Sequence, residues 1–97
     1  MIRHICMFKL QEENKAANLA KAQELADELL KPIPQIKRYE VVVNSEKAPD
    51  SNYELSLIFD YDSMEALKEY SVHPNHIKFG DFIKSVRESR ACIDYEF

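Results

Sequence analysis

The first ten positions of the chain alternate between two kinds of residue. From Ile2 to Leu10 the even positions are mainly apolar, whereas the odd positions include the charged Arg3 and Lys9. A period of two is the period of a β-strand with one face against a core. The pattern therefore predicts a strand that carries His4 on its more apolar face.

A helical period follows this strand. Apolar residues recur every three or four positions between Leu19 and Leu30, which is the spacing of one helix face. Asn14 is a suitable N-cap for such a helix, and Pro32 and Pro34 prevent its continuation. We expect a helix from Asn14 to about Leu30 whose apolar stripe packs against a sheet.

Two further strands are predicted in the middle of the chain. β-branched and aromatic residues are frequent in Ile36–Asn44, and apolar residues alternate with polar ones in Tyr53–Tyr61. The polar segment 45–52 joins them and contains the turn signal Pro49-Asp50. An antiparallel pair is the simplest arrangement of these two strands.

The second helical region is interrupted. Asp62 and Glu65 have the spacing of a capping box. Pro74 pushes the residue before it toward extended geometry and suits the first turn of a new helix. We therefore expect a broken helix that continues to Val86, followed by a closing strand whose odd positions in 91–97 are apolar.

The order of elements is strand, helix, strand, strand, broken helix, strand, which is the split βαβ pattern. It predicts an α+β fold in which a ferredoxin-like antiparallel sheet is covered by helices on one face, as a single domain over residues 1–97. The other face would carry Ile5, Met7 and Ile58 among polar residues. Such a half-apolar face is large for a small domain, so a second copy of the chain is the expected cover.

Charge and hydropathy narrow the classes of partner. The net charge is -4, and nonspecific binding to a phosphate backbone requires a basic surface, so we expect no nucleic acid. The N-terminal segment lacks the apolar centre of a signal peptide or a membrane span, so we expect a cytoplasmic protein without membrane association. A group of basic residues interleaved with Asp81 and Glu88 is interpreted as a solvated helix face: Lys78, Lys84, Arg87 and Arg90.

The sequence also argues against a cofactor. Gly80 is the only glycine, whereas phosphate-binding loops need several, so neither a nucleotide nor a flavin is expected. His73 and His76 have a metal-ligand spacing and His4 would supply a third ligand, but no further ligand is clearly placed, so no metal is expected. The two cysteines, Cys6 and Cys92, lack any paired spacing and are expected to be free thiols.

Four segments, IRHICMFKL, YSVHPNH, FGDF and IDYEF, resemble in this order the stress-responsive A/B-barrel family. The resemblance implies a dimeric α+β barrel, hence a homodimer. The family includes a plant polyketide cyclase, although most members have no assigned reaction. The similarity to the cyclase places a reacting pair at Tyr70 and His76 and a cavity histidine at His4, while Leu55 stands where the cyclase has a further histidine.

The residue spacing agrees with part of this assignment. Tyr70 follows Leu67 by three positions and His76 precedes Phe79 by three, so both project from apolar helix stripes toward the sheet. A neutral imidazole can take a proton from carbon next to a carbonyl while a phenol hydrogen-bonds the developing oxyanion. The residues expected to contact a substrate are His4, Cys6, Phe8, Leu55, Leu57 and His73.

Three functions remain open at this point. The first is a cofactor-free, polyketide-cyclase-like lyase or isomerase that acts on a small phenolic or keto compound through the Tyr70 and His76 pair. The second is a module that binds a small hydrophobic ligand of that kind without converting it. The third is a structural homodimer in a stress response, in which His4, Tyr70 and His76 have only structural roles.

Overall fold

The frame of the molecule is one antiparallel sheet of four strands. The computed structural model describes residues 1–97 and contains β1 (Ile2–Leu10), β2 (Arg38–Val43), β3 (Leu55–Tyr61) and β4 (Arg87–Glu96). The strand order is β2-β3-β1-β4, so β1 pairs with β3 on one side and with β4 on the other. β1 has the predicted bounds, and the antiparallel pairing of β2 and β3 is confirmed.

Three helices cover one face of this sheet. They are α1 (Lys15–Leu25), which continues as a π-helical segment (Ala26–Leu30), α2 (Met64–Ser71) and α3 (Pro74–Val86). The even positions of β1 and the odd positions of β3 point toward the helices and are largely buried. The predicted α+β, ferredoxin-like fold with helices on one face is confirmed. The core comprises Ile2, Cys6, Phe8, Leu10, Ala22, Ala26, Leu30, Ile33, Leu55, Leu57, Phe59, Tyr61, Leu67, Tyr70, Phe79 and Ile83.

The helix starts differ in detail from the predictions. Asn14 has a φ of 55° and its side chain caps nothing, because asparagine tolerates the left-handed region and here turns the chain instead. The cap of α2 is Ser63, not Asp62, since the Ser63 hydroxyl accepts a hydrogen bond from the backbone N–H of Ala66. The break between α2 and α3 is confirmed, with Pro74 in the first turn of α3.

β4 begins directly after α3, earlier than the apolar alternation in the sequence indicates. Its first residues, Arg87 to Arg90, are polar on both faces, and charged residues are common on edge strands, where they oppose pairing with another chain. Its register places Cys92 opposite Cys6 and Asp94 opposite His4, both on the helix-covered face of the sheet.

The face of the sheet away from the helices is open and half apolar. Ile5 lies between Ile58 of β3 and Ile93 of β4 in the strand register, and Ile93 is 60% exposed. Arg3 and Asp60 form a two-pronged ion pair on this face, at 2.7 and 2.9 Å. We call this surface, centred on the three isoleucines, the open face. No helix has the length and apolar character needed to cross a membrane.

Candidate functional site

A cavity of about 190 Å³ lies on the helix-covered side of the sheet, where α2 and α3 meet β1 and β4. Its apolar wall consists of Phe8 and Leu57 from the sheet and Phe79 and Ile83 from α3. An engineered apolar cavity of about 150 Å³ accommodates benzene. The volume therefore suits a compound with about one aromatic ring.

Tyr70 and His76 lie side by side in this cavity. Tyr70 is in the last turn of α2 and His76 in the first turn of α3, and the break between the helices brings their ring centroids to 4.5 Å. Tyr70 is 1% exposed, and neither its hydroxyl nor that of Tyr61, whose ring centroid lies 5.3 Å away, is hydrogen-bonded. Burial raises the pKa of Tyr70, so it is a neutral phenol with a hydrogen bond left to donate.

The tautomer of His76 is set by the backbone carbonyl of Ser71, the last residue of α2. Its Nδ1 lies 2.9 Å from the carbonyl oxygen of Ser71. Because a carbonyl only accepts, Nδ1 carries the proton and donates, which leaves the lone pair on Nε2. Burial lowers the pKa of His76; the hydrogen bond to Ser71 acts against this lowering, and the positive charges of Arg90 and Lys84 add to it. The imidazole is therefore a neutral base at neutral pH.

His4 reaches the same cavity from β1. Its ring centroid lies 6.4 Å from that of Tyr70 and 6.4 Å from that of Tyr61. Its Nδ1 is hydrogen-bonded to the carboxylate of Asp94, which stands opposite on β4. A carboxylate on one ring nitrogen orients a histidine and leaves Nε2 for other contacts. Asp94 was not among the predicted site residues, because its position depends on the β1–β4 register.

Two of the expected substrate-contacting residues lie elsewhere. Leu55 is buried at the far end of β3, opposite Phe8 and Val43, and does not line the cavity. His73 is the N-cap of α3, where its Nδ1 accepts a hydrogen bond of 3.1 Å from the backbone N–H of Asn75. His4, Cys6, Phe8 and Leu57 line the cavity, and their contact with a substrate stays a prediction.

The expectation of free thiols is wrong in this structure. Cys6 and Cys92 are directly opposite in the β1–β4 register, with Cα atoms 4.3 Å apart, and form a cross-strand disulfide. The pairing depends on two residues 86 positions apart in sequence, so no local spacing reveals it. His4, Cys6 and Cys92 cluster with potential ligand atoms within 4.8 Å, but sulfurs bonded to each other are not thiolate ligands.

Three cations line the end of the cavity away from Tyr70. They are Lys84 near the end of α3, and Arg87 and Arg90 on β4. The interpretation of this group as a solvated helix face is wrong for Arg87 and Arg90, whereas Lys84 does lie exposed on α3. Both arginines belong to β4. Arg90 stands opposite Phe8, and a register shift between Lys9 and Leu10 places Arg87 opposite Leu10, so both lie on the cavity side of the sheet.

Gly80 has no conformational reason to be glycine. It lies inside α3 without a positive φ, and an added Cβ would meet no atom within 4 Å. It also lines the cavity. Its absent side chain therefore leaves cavity space open.

Replacing Gly80 with Ala should stabilise the protein. Alanine is favoured over glycine in a helix interior by about 1 kcal/mol, which corresponds to a rise in Tm of about 4–8 °C for a domain of this size. Thermal unfolding followed by circular dichroism measures this change. Ser85→Ala, on the exposed part of α3, is the control for a change to alanine outside the cavity, and it also removes the hydrogen bond from the Ser85 hydroxyl to the carbonyl oxygen of Phe82. A lower Tm for Gly80→Ala would show that the space is needed by the fold.

Comparison with known proteins extends these observations. The model of the stress-responsive A/B-barrel domain matches residues 2–97. Olivetolic acid cyclase from Cannabis sativa is 25% identical over 95 residues, which cover 97% of this chain and 94% of the cyclase.

Solved structures show the same architecture. A dimeric protein of unknown function with a ferredoxin-like fold, from Bacteroides fragilis, is 31% identical, with a TM-score of 0.86 over 99% of this chain and 95% of that one. A hydroxynitrile lyase from Passiflora edulis is 12% identical, with a TM-score of 0.80 over 97% of this chain and 90% of the lyase. This last similarity concerns the fold alone.

Proposed function

Because the chain belongs to the stress-responsive A/B-barrel domain family, we propose that it is a cofactor-free lyase or isomerase in which Tyr70 and His76 act on a small keto compound. The substrate carries a hydrogen on carbon next to a carbonyl group. The cavity beside this pair supports a ligand of about one ring. Olivetolic acid cyclase, a relative over nearly the whole chain, supports a reaction that closes or opens a carbon–carbon bond.

The proposed chemistry begins with proton transfer. Nε2 of His76 takes the proton from the α-carbon, and the electron pair of that C–H bond forms the enolate double bond. The carbonyl π electrons move to oxygen, where the Tyr70 hydroxyl donates a hydrogen bond to the negative charge. The enolate carbon then attacks a second carbonyl of the same molecule, and the imidazolium returns its proton to the new alkoxide. A lyase runs these steps in reverse.

The observation that carries this proposal is the state of the two facing side chains. His76 has a free Nε2 because Ser71 holds its Nδ1 proton, and Tyr70 has a buried hydroxyl without a partner. A base and a hydrogen-bond donor in one cavity are the two groups that enolate formation needs.

Hydrogen exchange tests the proposal without knowledge of the final product. Phenylacetone and similar one-ring ketones are incubated with the protein in D₂O, and loss of the α-proton signal is followed by NMR. We expect exchange faster than in buffer with the same concentration of imidazole. Binding of these ketones without faster exchange would assign the protein to the non-catalytic binding modules instead.

The exchange rate should depend on pH through His76. The neutral imidazole is the active form, so the rate should rise with pH and level off above the pKa. Since burial lowers that pKa from 6.5, the midpoint should lie below 6.5. The unfolded chain takes up the proton more readily, so the free energy of unfolding should also fall as pH decreases through 6.5. A midpoint at or above 6.5 in the rate profile would contradict His76 as the base.

We also propose that the protein is a homodimer joined through the open face. Ile5, Ile58 and Ile93 form a continuous apolar strip there. The charged neighbours are already paired, since Arg3 holds the pKa of Asp60 below its ordinary value and a neutralised pair is less costly to cover than separate charges. The similar protein from Bacteroides fragilis is dimeric, which supports the same assembly here.

A further inference from the structure

The cavity has a charge opposite to that of the protein as a whole. The chain carries 17 acidic and 13 basic residues, yet no aspartate or glutamate lines the cavity, while Lys84, Arg87 and Arg90 do. Positive charge is therefore concentrated at the cavity of a protein whose net charge is negative, which indicates a role for these cations in the cavity.

These three cations have no carboxylate partner. Arg3, Lys9, Lys15, Lys37 and Arg38 each lie within 4.0 Å of an acidic side chain. None of the three cavity cations does, and neither do Lys21, Lys31, Lys47, Lys68 and Lys78, which are exposed elsewhere on the chain; what sets the three apart is that they line one cavity.

Arg90 donates from Nη2 to the sulfurs of Cys92 at 2.7 Å and Cys6 at 3.3 Å. Sulfur is a weak acceptor, and the other N–H groups of the guanidinium remain available.

The cations lie at a defined distance from the reacting pair. His76, Gly80 and Lys84 follow one another at intervals of four residues on α3, and all three line the cavity. Eight residues of helix span about 12 Å. The cavity thus runs for about two helical turns, from a neutral base at one end to unpaired cations at the other, past a glycine that leaves room between them.

From this arrangement we propose that the ligand is a small organic acid whose carboxylate is bound by Lys84, Arg87 and Arg90. The proposal deepens the proposed function and rests on it for the keto group, which would lie at the Tyr70 and His76 end. Guanidinium groups match a carboxylate with paired, charge-assisted hydrogen bonds. The small apolar middle of the cavity fits one ring or a short carbon chain. The predicted substrate class is therefore small keto acids.

Benzoate and benzamide provide the test, because they have nearly the same shape and differ in charge. Each is titrated into ¹⁵N-labelled protein, and dissociation constants are taken from NMR shifts. Charge-assisted hydrogen bonds exceed neutral ones by an amount that corresponds to about tenfold in affinity. We expect benzoate to bind at least about tenfold more tightly, with shifts in the segment 84–90. Equal affinity for the two compounds would overturn the proposal.

Single variants locate the anion. Lys84→Gln and Arg90→Gln should each remove much of the preference for benzoate, whereas Lys78→Gln, exposed on the same helix and outside the cavity, should not. Circular dichroism checks that each variant folds, and Lys84→Gln leaves the contacts of Arg90 with the disulfide in place. If all three variants behave alike, the cavity cations do not bind the carboxylate.

Two further outcomes separate this inference from related ones. Tighter binding of inorganic phosphate than of benzoate would indicate that the three cations bind the phosphate group of a phosphate ester, and it would overturn the proposal that they bind a carboxylate. The preference for benzoate should persist in His76→Ala, because that change removes the base and leaves the cations. If the protein prefers benzoate to benzamide but exchanges no ketone α-proton, only the proposed reaction is contradicted. If it exchanges the α-protons of neutral ketones but shows no preference for benzoate, only the carboxylate site is contradicted.

Discussion

Replacing His76 with Ala should lower the rate of α-proton exchange by about 100-fold or more, while the folded state persists. General-base catalysis contributes roughly 10²–10⁴-fold, and the ring of His76 lies nearer to that of Tyr70 than the ring of His4 does, with centroids at 4.5 Å against 6.4 Å. The lost hydrogen bond to Ser71 should cost only about 1 kcal/mol of stability. Exchange rates and urea unfolding of the same preparations measure the two effects.

His73→Ala is the matched control for this change. His73 lies three residues earlier, caps α3 and is outside the cavity, so its removal should cost about 1 kcal/mol of stability and leave the exchange rate nearly unchanged. The two variants should therefore lose similar stability and differ in the exchange rate. If His76→Ala unfolds the protein, or if both variants retain the wild-type rate, His76 is a structural residue.

Replacing Ile93 with Glu should convert the dimer to monomers. Ile93 is 60% exposed in the single chain, so the change costs the isolated fold little. Within a covered open face it would bury an unpaired carboxylate. We expect the dissociation constant of the dimer to rise at least about 100-fold, equivalent to about 2.7 kcal/mol. Light scattering against the chain mass of 11.4 kDa measures the shift.

Ile77→Glu provides the comparison for the interface. Ile77 is 51% exposed but lies on α3, away from the open face, so the same charge there should leave the dimer intact. A wild-type monomer at micromolar concentration, or a dimer sensitive to Ile77→Glu and insensitive to Ile93→Glu, would show that the open face is not the interface.

Local patterns in the sequence were sufficient for most of the fold. β1 alternates so regularly that its bounds are predicted to the residue, and Pro74 marks the break that brings Tyr70 and His76 together. The start of β4 was missed because the polar residues from Arg87 to Arg90 satisfy neither a helical nor a strand pattern. An edge strand needs no such pattern.

The part of the site that the sequence did not reveal depends on register. Asp94 meets His4, and Cys92 meets Cys6, only because β4 pairs with β1 in one particular alignment. A shift of one residue would turn both side chains to the open face. No local feature of either strand fixes that alignment, so the basic end of the cavity and the disulfide emerge only from the folded chain.

The central position of β1 has a consequence for how the molecule forms. Both strands that pair with β1 come much later in the chain, since β3 starts at Leu55 and β4 at Arg87. During synthesis β1 therefore leaves the ribosome with two unpaired edges and an apolar face that no partner yet covers. Strands so far apart in sequence pair slowly, because the chain loses the conformational entropy of the intervening loop before the new contacts stabilise it. The cavity, which needs β1, α3 and β4 together, should be among the last features of the nascent protein to appear.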